Sequence, residues 1–509
     1  MSATHVATAA ALDTRQAHHD TDEGSRQASL GLMLSTGGDS RIWIDPYTGR
    51  NRYGVRTRPS PAEIAFASTT ASTIRASGFA RAGRAFRALL GSGRTATLSP
   101  EQWLSALRAQ IATALGTPET HIILAASGTD AELIALALAA GASARALTNI
   151  VMAPAETGSG VPLAASGRHF LASTALGAEV TAGEPITAMA AESIDVAAIA
   201  IRNGDGTART AAAIDQDAAE AVARALRQDR DVLLHVLDTS KTGLTGLTRA
   251  TARQLRDLAP QRVRVVVDAC QLRCRPAQIR QDLDDGFMVI ATGSKLAGGP
   301  PFSGALLLPA SLAGEFAAGR PLPSGLADYS AALDWPDHLR DRLGQHLTSA
   351  MNIGLGLRWE AALDGIMAMA GVGDRLQDDI LRHFGAAVRA RAADLRCIGP
   401  LAEDAGTIGP SSIIPLVVLR SDGRLADTKH AQRVHEALRD EDRGRICHIG
   451  QTVVLGECNV LRVAASAADV AGIARRLSEG AGLDSAFRPV ADDLDVLFAK
   501  WAHVTRDLA

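Results

Sequence analysis

The chain has 509 residues, of which 47% are hydrophobic and 21% charged, with a formal net charge of −3. That length exceeds one ordinary core and calls for two or more domains, in a composition typical of soluble globular proteins. The small net charge gives no electrostatic case for nucleic acid or an anionic membrane as partner, and no apolar run reaches membrane-spanning length or forms a signal-peptide core.

Five cysteines, Cys270, Cys274, Cys397, Cys447 and Cys458, match no zinc-ligand spacing. No metal site is expected, and a reducing cytoplasm is the expected compartment. With aromatics at only 4%, packing must rest on aliphatic side chains.

Residues 1–28 are polar, histidine-rich and without period, and are expected to be disordered. Residues 37–73 are rich in turns, with a short strand expected at 42–44. Asn51, Tyr47 and Tyr53 stand in a run dense in groups that bind polar ligands. The same run also reads as a surface loop pinned by its tyrosines. Helical periodicity covers 72–90, and a second helix covers 100–115 behind Ser99 as cap.

Strand and helix then alternate. Strands are expected at 121–126, 149–153, 197–201, 232–237, 263–267, 287–291 and 305–308, with helices at 130–140, 215–227 and 249–258 between them. Apolar strands separated by helices predict an α/β unit with a mostly parallel sheet covered on both faces, and ligands bind at the ends of such strands. After residue 331 the pattern becomes a smaller α+β unit. Its helices are expected at 343–370, 374–395, 428–439 and 467–477, and its strands at 413–419, 453–455 and 460–463.

Three stretches carry chemistry. Ser127-Gly128-Thr129 lies where a strand turns into a helix, so backbone N–H groups and the positive helix end can cradle a phosphate. The alternative is a capping box between Thr129 and Glu132. Asp268 ends a three-valine strand, where a carboxylate is costly to bury unless it meets a cation or caps the next turn. Lys295 follows a buried strand and precedes glycines and prolines. A lysine there either carries its amine into a cleft for nucleophilic use or snorkels to solvent.

Ser-Gly-Thr, then Asp268-Ala269-Cys270-Gln271, then Thr292-Gly293-Ser294-Lys295 occur in that order. The ordered set resembles the pyridoxal-phosphate (PLP) enzymes of fold type I, and within them the class V aminotransferase and cysteine desulfurase group. The resemblance covers residues 115–308 well and the C-terminal part more weakly. It implies a seven-stranded-type, mostly parallel sheet in a large PLP-binding domain at 99–335 and a small C-terminal domain at 336–509. A segment at 29–98 would supply substrate-entrance loops and a helix.

The resemblance also implies roles. Lys295 would form the Schiff base with PLP, Asp268 would pair with the pyridine nitrogen, and Gln271 would sit near the ring hydroxyl. Ser127, Gly128, Thr129, Thr292 and Ser294 would hold the phosphate, and Ser240 would contact the ring oxygen. Thr157 stands where the family places an aromatic or histidine over the ring. Arg462, in an apolar strand, matches the arginine that grips the substrate carboxylate, and a guanidinium fork suits that task. Asn51 and Tyr53 are further substrate-binding candidates.

A homodimer acting on a small amino-acid substrate is implied, with transamination as the leading reaction. Carbon–sulfur lysis or desulfuration through Cys447, whose neighbour is His448, is the alternative, along with elimination or decarboxylation. The Ser294 position argues against desulfuration, because desulfurases often carry histidine there. A non-catalytic binding module on the same fold would have no need to keep the lysine, aspartate, glutamine and hydroxyl cup together.

Overall fold

Continuous burial along the central strands builds the larger part of the molecule, whose computed structural model describes residues 23–90, 98–401 and 411–508. The strands are β1 (Ile64–Phe66), β2 (His121–Ala125), β3 (Leu147–Met152), β4 (Ile194–Ile199), β5 (Asp231–Leu237) and β6 (Val263–Ala269). They are followed by β7 (Met288–Thr292), β8 (Gly304–Leu308), β9 (Ile398–Pro400), β10 (Ile413–Val418), β11 (Cys447–Leu455) and β12 (Cys458–Ala464).

Seven of them form one sheet in the order β2-β8-β7-β6-β5-β3-β4. The pairs from β4 through β7 are parallel, and β8 runs antiparallel to both β7 and β2. Val265, Val267 and Leu307 pack into the core on one face, whereas Val266, Leu306 and Leu308 join the core on the other. Successive side chains of a strand point to opposite faces, so continuous apolar runs are what a doubly covered sheet requires.

The second sheet, in the order β1-β11-β12-β10-β9, has its own core. It is antiparallel except at one edge, where β1 runs parallel to β11 with Ile64 opposite Cys447. The N-terminal segment thus completes a sheet made otherwise of residues beyond 397.

Three local expectations change. Residues 1–22 of the segment expected to be disordered lie outside the described residues, but a helix, Glu23–Met33, already runs through its end. Leu30 on that helix is buried against a core that includes Ala82 and Phe86, and that burial explains the order. The strand expected at 42–44 is a turn instead, closed by Ile42 N–H donating to Asp39 O at 3.1 Å, with Ile42 packed among Ala126, Ala175 and Phe302. The single helix expected at 343–370 is two, Asp337–Leu343 and Ile353–Ala370. Asn352 starts the second, its side chain accepting from Leu355 N–H at 3.0 Å.

Candidate functional site

β2, β3, β5, β6 and β7 all point their C-terminal ends the same way, because β2 and β7 share the antiparallel partner β8. The residues just past those ends converge on one cavity of about 160 Å³. Ser127, Gly128 and Thr129 reach it after β2, and Thr157 after β3. Thr239 and Lys241 come after β5, and Asp268, Cys270 and Gln271 from the end of β6. Thr292, Ser294 and Lys295 arrive from β7. The opposite wall comes from the N-terminal segment and the second sheet, through Arg41, Tyr53, Thr69, Thr70 and Gln451.

Ser127 is the cap of the buried helix Gly128–Gly141. Its hydroxyl accepts from Thr129 N–H at 3.2 Å and Asp130 N–H at 3.3 Å, and donates to the Asp130 carboxyl. The capping box between Thr129 and Glu132 does not form. Glu132 instead accepts from Asn149 Nδ2 at 3.0 Å and lies 3.2 Å from His235 Nε2. Burial, with the Asp39 charge adding to it, pushes the Asp130 carboxyl up to about 7. Glycine is required at 128 by space, since a Cβ there would stand 2.4 Å from Cys270 Sγ.

Asp268 Oδ1 accepts from Cys270 N–H at 3.0 Å, so the turn-capping role is real. The carboxylate nevertheless has no ion pair among the described residues. Lys295 is anchored through its backbone, whose carbonyl accepts from Ser72 Oγ at 2.8 Å, while its Nζ has neither a hydrogen bond nor an ion pair there. The hydroxyls of Thr129 and Ser294 likewise have no protein partner among the described residues, whereas Thr292 Oγ1 donates to Cys270 O at 2.7 Å. Gln271 Nε2 donates to Thr69 O at 3.2 Å, which leaves its buried Oε1 unpartnered.

Arg462 is not part of this lining; it is 1% exposed and reaches the lining through Thr70. Nη2 donates to Thr70 Oγ1 at 2.9 Å, but Nε and Nη1 have no partner. Burial lowers the guanidinium to about 10. Gly450 makes the room, because a Cβ there would lie 2.6 Å from Nε.

Other sequence candidates stand elsewhere. Ser240 Oγ donates to Glu156 Oε2 at 3.0 Å and accepts from the N–H groups of Thr242 and Leu244, so it braces the loop outside the cavity lining. Asn51 Oδ1 accepts from Tyr53 N–H and Val55 N–H, and it too is absent from the lining, although Tyr53 is part of it. Cys447 is 0% exposed in the core of the second sheet, and burial pushes its thiol up to about 11. It does not line the cavity. Its neighbour His448 is tied to Glu63 at 2.8 Å.

Two residues were missed in the sequence. Glu156, four residues after β3, binds Arg202 Nε at 2.6 Å and the hydroxyls of Ser240 and Thr242. Lys241 lines the cavity with no hydrogen bond or ion pair at Nζ among the described residues. Lys241 stood beside Ser240 in the same loop motif, and only its charge singled it out.

The unsatisfied groups fit a phosphorylated pyridine cofactor: a helix N-terminus with free hydroxyls for phosphate, an unpaired carboxylate for a ring N–H, an orphaned amide oxygen and a free amine. No family model and no curated protein matches the sequence. Among solved structures, a NifS-like protein superposes with a TM-score of 0.56 at 10% identity, covering 87% of this chain and 99% of that one. A cystine C–S lyase, solved with its reaction product cysteine persulfide, gives 0.54 at 15% identity, covering 86% and 97%. The chain therefore has the overall fold of these two proteins, the fold expected from the ordered motifs.

Proposed function

We propose that the chain is a PLP-dependent enzyme acting on an amino acid, with transamination as its reaction. One observation carries the reading: Lys295, Asp268, Gln271 and the Thr129 hydroxyl line a single cavity, each with capacity left over. Ser127, Gly128, Thr129, Thr292 and Ser294 would hold the phosphate at the positive end of the helix Gly128–Gly141, and Asp268 would hold a proton on the pyridine nitrogen. Thr157 also lines the cavity and offers no aromatic face to a ring. PLP bound there supplies an electron sink that lets a bond to the substrate Cα break heterolytically.

The remaining work falls to side chains. Arg462, with two unpartnered donors, binds the substrate carboxylate and so orients the Cα bonds. Lys295 Nζ, at the end of β7, takes up the Cα proton. Transamination needs no further group, which makes it the leading reaction. Carbon–sulfur lysis is the second reading, favoured by the likeness to the cystine C–S lyase fold. It would proceed without Cys447, whose thiol is sealed in a core. We also take the active form to be a cytoplasmic homodimer.

The test is spectroscopic and chemical. The purified protein should bind PLP with a visible absorbance band, and borohydride should fix a pyridoxyl mass on Lys295 that is absent from K295A. A colourless wild type that takes up no PLP ends the reading. Keto-acid formation from added amino acids supports transamination. Sulfide release from cysteine or cystine supports the lyase, and loss of that release in C447A would restore a sulfur relay.

A further inference from the structure

One cation in the cavity lining, Lys241, has no partner of its own among the described residues. Its backbone N–H donates to Glu156 O at 3.0 Å, and Ser240 and Thr242 on either side are bound to the Glu156 carboxylate. The stem is therefore fixed at its root, while Nζ stands in the cavity wall without a partner among the described residues. A bare ammonium held in such a place costs free energy that a bound anion would return.

The neighbouring charges leave no internal partner for it. Glu156 is committed to Arg202, Ser240 and Thr242. Glu132 is committed to Asn149, and Arg41 is held by Asp39 through two hydrogen bonds of 2.9 and 2.7 Å. On the PLP reading, Asp268 would be answered by the ring nitrogen, Lys295 by the cofactor, and the phosphate by the start of the helix Gly128–Gly141 and its hydroxyls. Two cations then remain, Arg462 and Lys241. A single α-carboxylate satisfies the first and leaves the second without a counter-charge.

We infer that the substrate is an α-amino acid with an acidic side chain, and that Lys241 Nζ binds its second anionic group. This rests on the function proposed above. Burial, followed by the charges of Arg462 and Lys295, brings the Lys241 amine down to about 7 despite Glu156 and Asp268, as expected of a site waiting for a counter-charge. Lys241 is thus a specificity residue, distinct from the amine that carries the cofactor.

The experiment uses the PLP-supplied full chain and two isosteric pairs, L-aspartate against L-asparagine and L-glutamate against L-glutamine. Binding is followed by cofactor absorbance and by melting temperature. The acidic member of at least one pair should bind about tenfold more tightly or better, and K241M should bring the pair to within about twofold while keeping the borohydride-trapped mass on Lys295. An equal loss for both members in K241M would mean that Lys241 and Arg462 clamp one carboxylate, and overturns the inference. A wild type that does not prefer the acid overturns it as well, whether or not K241M folds. A wild type with no trapped mass on Lys295 overturns the cofactor reading itself, and the inference with it.

Discussion

Replacing Arg462 with methionine should separate stability from function. Burial holds the guanidinium at about 10 instead of 12.5, which corresponds to about 3 kcal/mol by which folding disfavours the charged form. The arginine recovers part of that through its 2.9 Å bond to Thr70, a charged hydrogen bond of about 1.5–3 kcal/mol. Methionine fills a similar length without charge, so R462M should be as stable as the wild type or more stable by up to about 2 kcal/mol. Amino-acid binding, in contrast, should weaken about a hundredfold or more, because the carboxylate loses both unpartnered donors. Urea unfolding of the two proteins without substrate gives the first quantity, and titration of the PLP-loaded forms gives the second. If R462M lost more than about 2 kcal/mol while still binding amino acids normally, the arginine would be a support of the second sheet and not a receptor.

Two more perturbations test the cup. In G128A the new methyl meets Cys270 Sγ at 2.4 Å, so the helix start must shift; PLP affinity should fall at least about tenfold, and G128A/C270A should recover most of it in the same titration. Asp130 should make stability depend on pH. The folded state keeps its proton up to about 7, whereas the unfolded chain releases it near 3.8, so stability is full below the lower value and falls as pH rises through the upper one. Urea midpoints should reveal a loss of about 2 kcal/mol between pH 5 and 7 that D130N lacks. An unchanged profile in D130N would assign the slope to other groups.

The parallel sheet was legible because its strands are apolar on both faces, a pattern that polar solvent-facing strands cannot mimic. β4 was read three residues late, since only its two end residues are buried and Asp195 breaks the apolar run near its start. The last helix, Leu483–Asp507, was not read at all: Pro489 inside it looks like a stop, and its buried residues are spread over seven turns. Within the site, Asp268 and Lys295 announced themselves as charges set in apolar strands. Ser240 and Asn51 stand outside the cavity lining, because small polar residues in loops serve the backbone as readily as a ligand. Lys241 needed the structure, since only the commitments of Glu156 and Glu132 reveal that its amine lacks an internal partner.

The pairing of β1 with β11 sets the order in which the molecule can be completed. About 380 residues separate Ile64 from Cys447. At ribosomal speeds of about 5–20 residues per second, the first strand waits on the order of half a minute for its neighbour to be made. The seven-stranded sheet, which ends at Leu308, can close during that interval, while Ile64 and Phe66 remain without their burial. A C-terminal fragment cut anywhere after Phe66 would in turn lack an edge strand and leave β11 open to pairing with other chains. The second sheet is therefore complete only when the two ends of the chain have joined, and a fragment beginning at residue 336 would have to form it without β1.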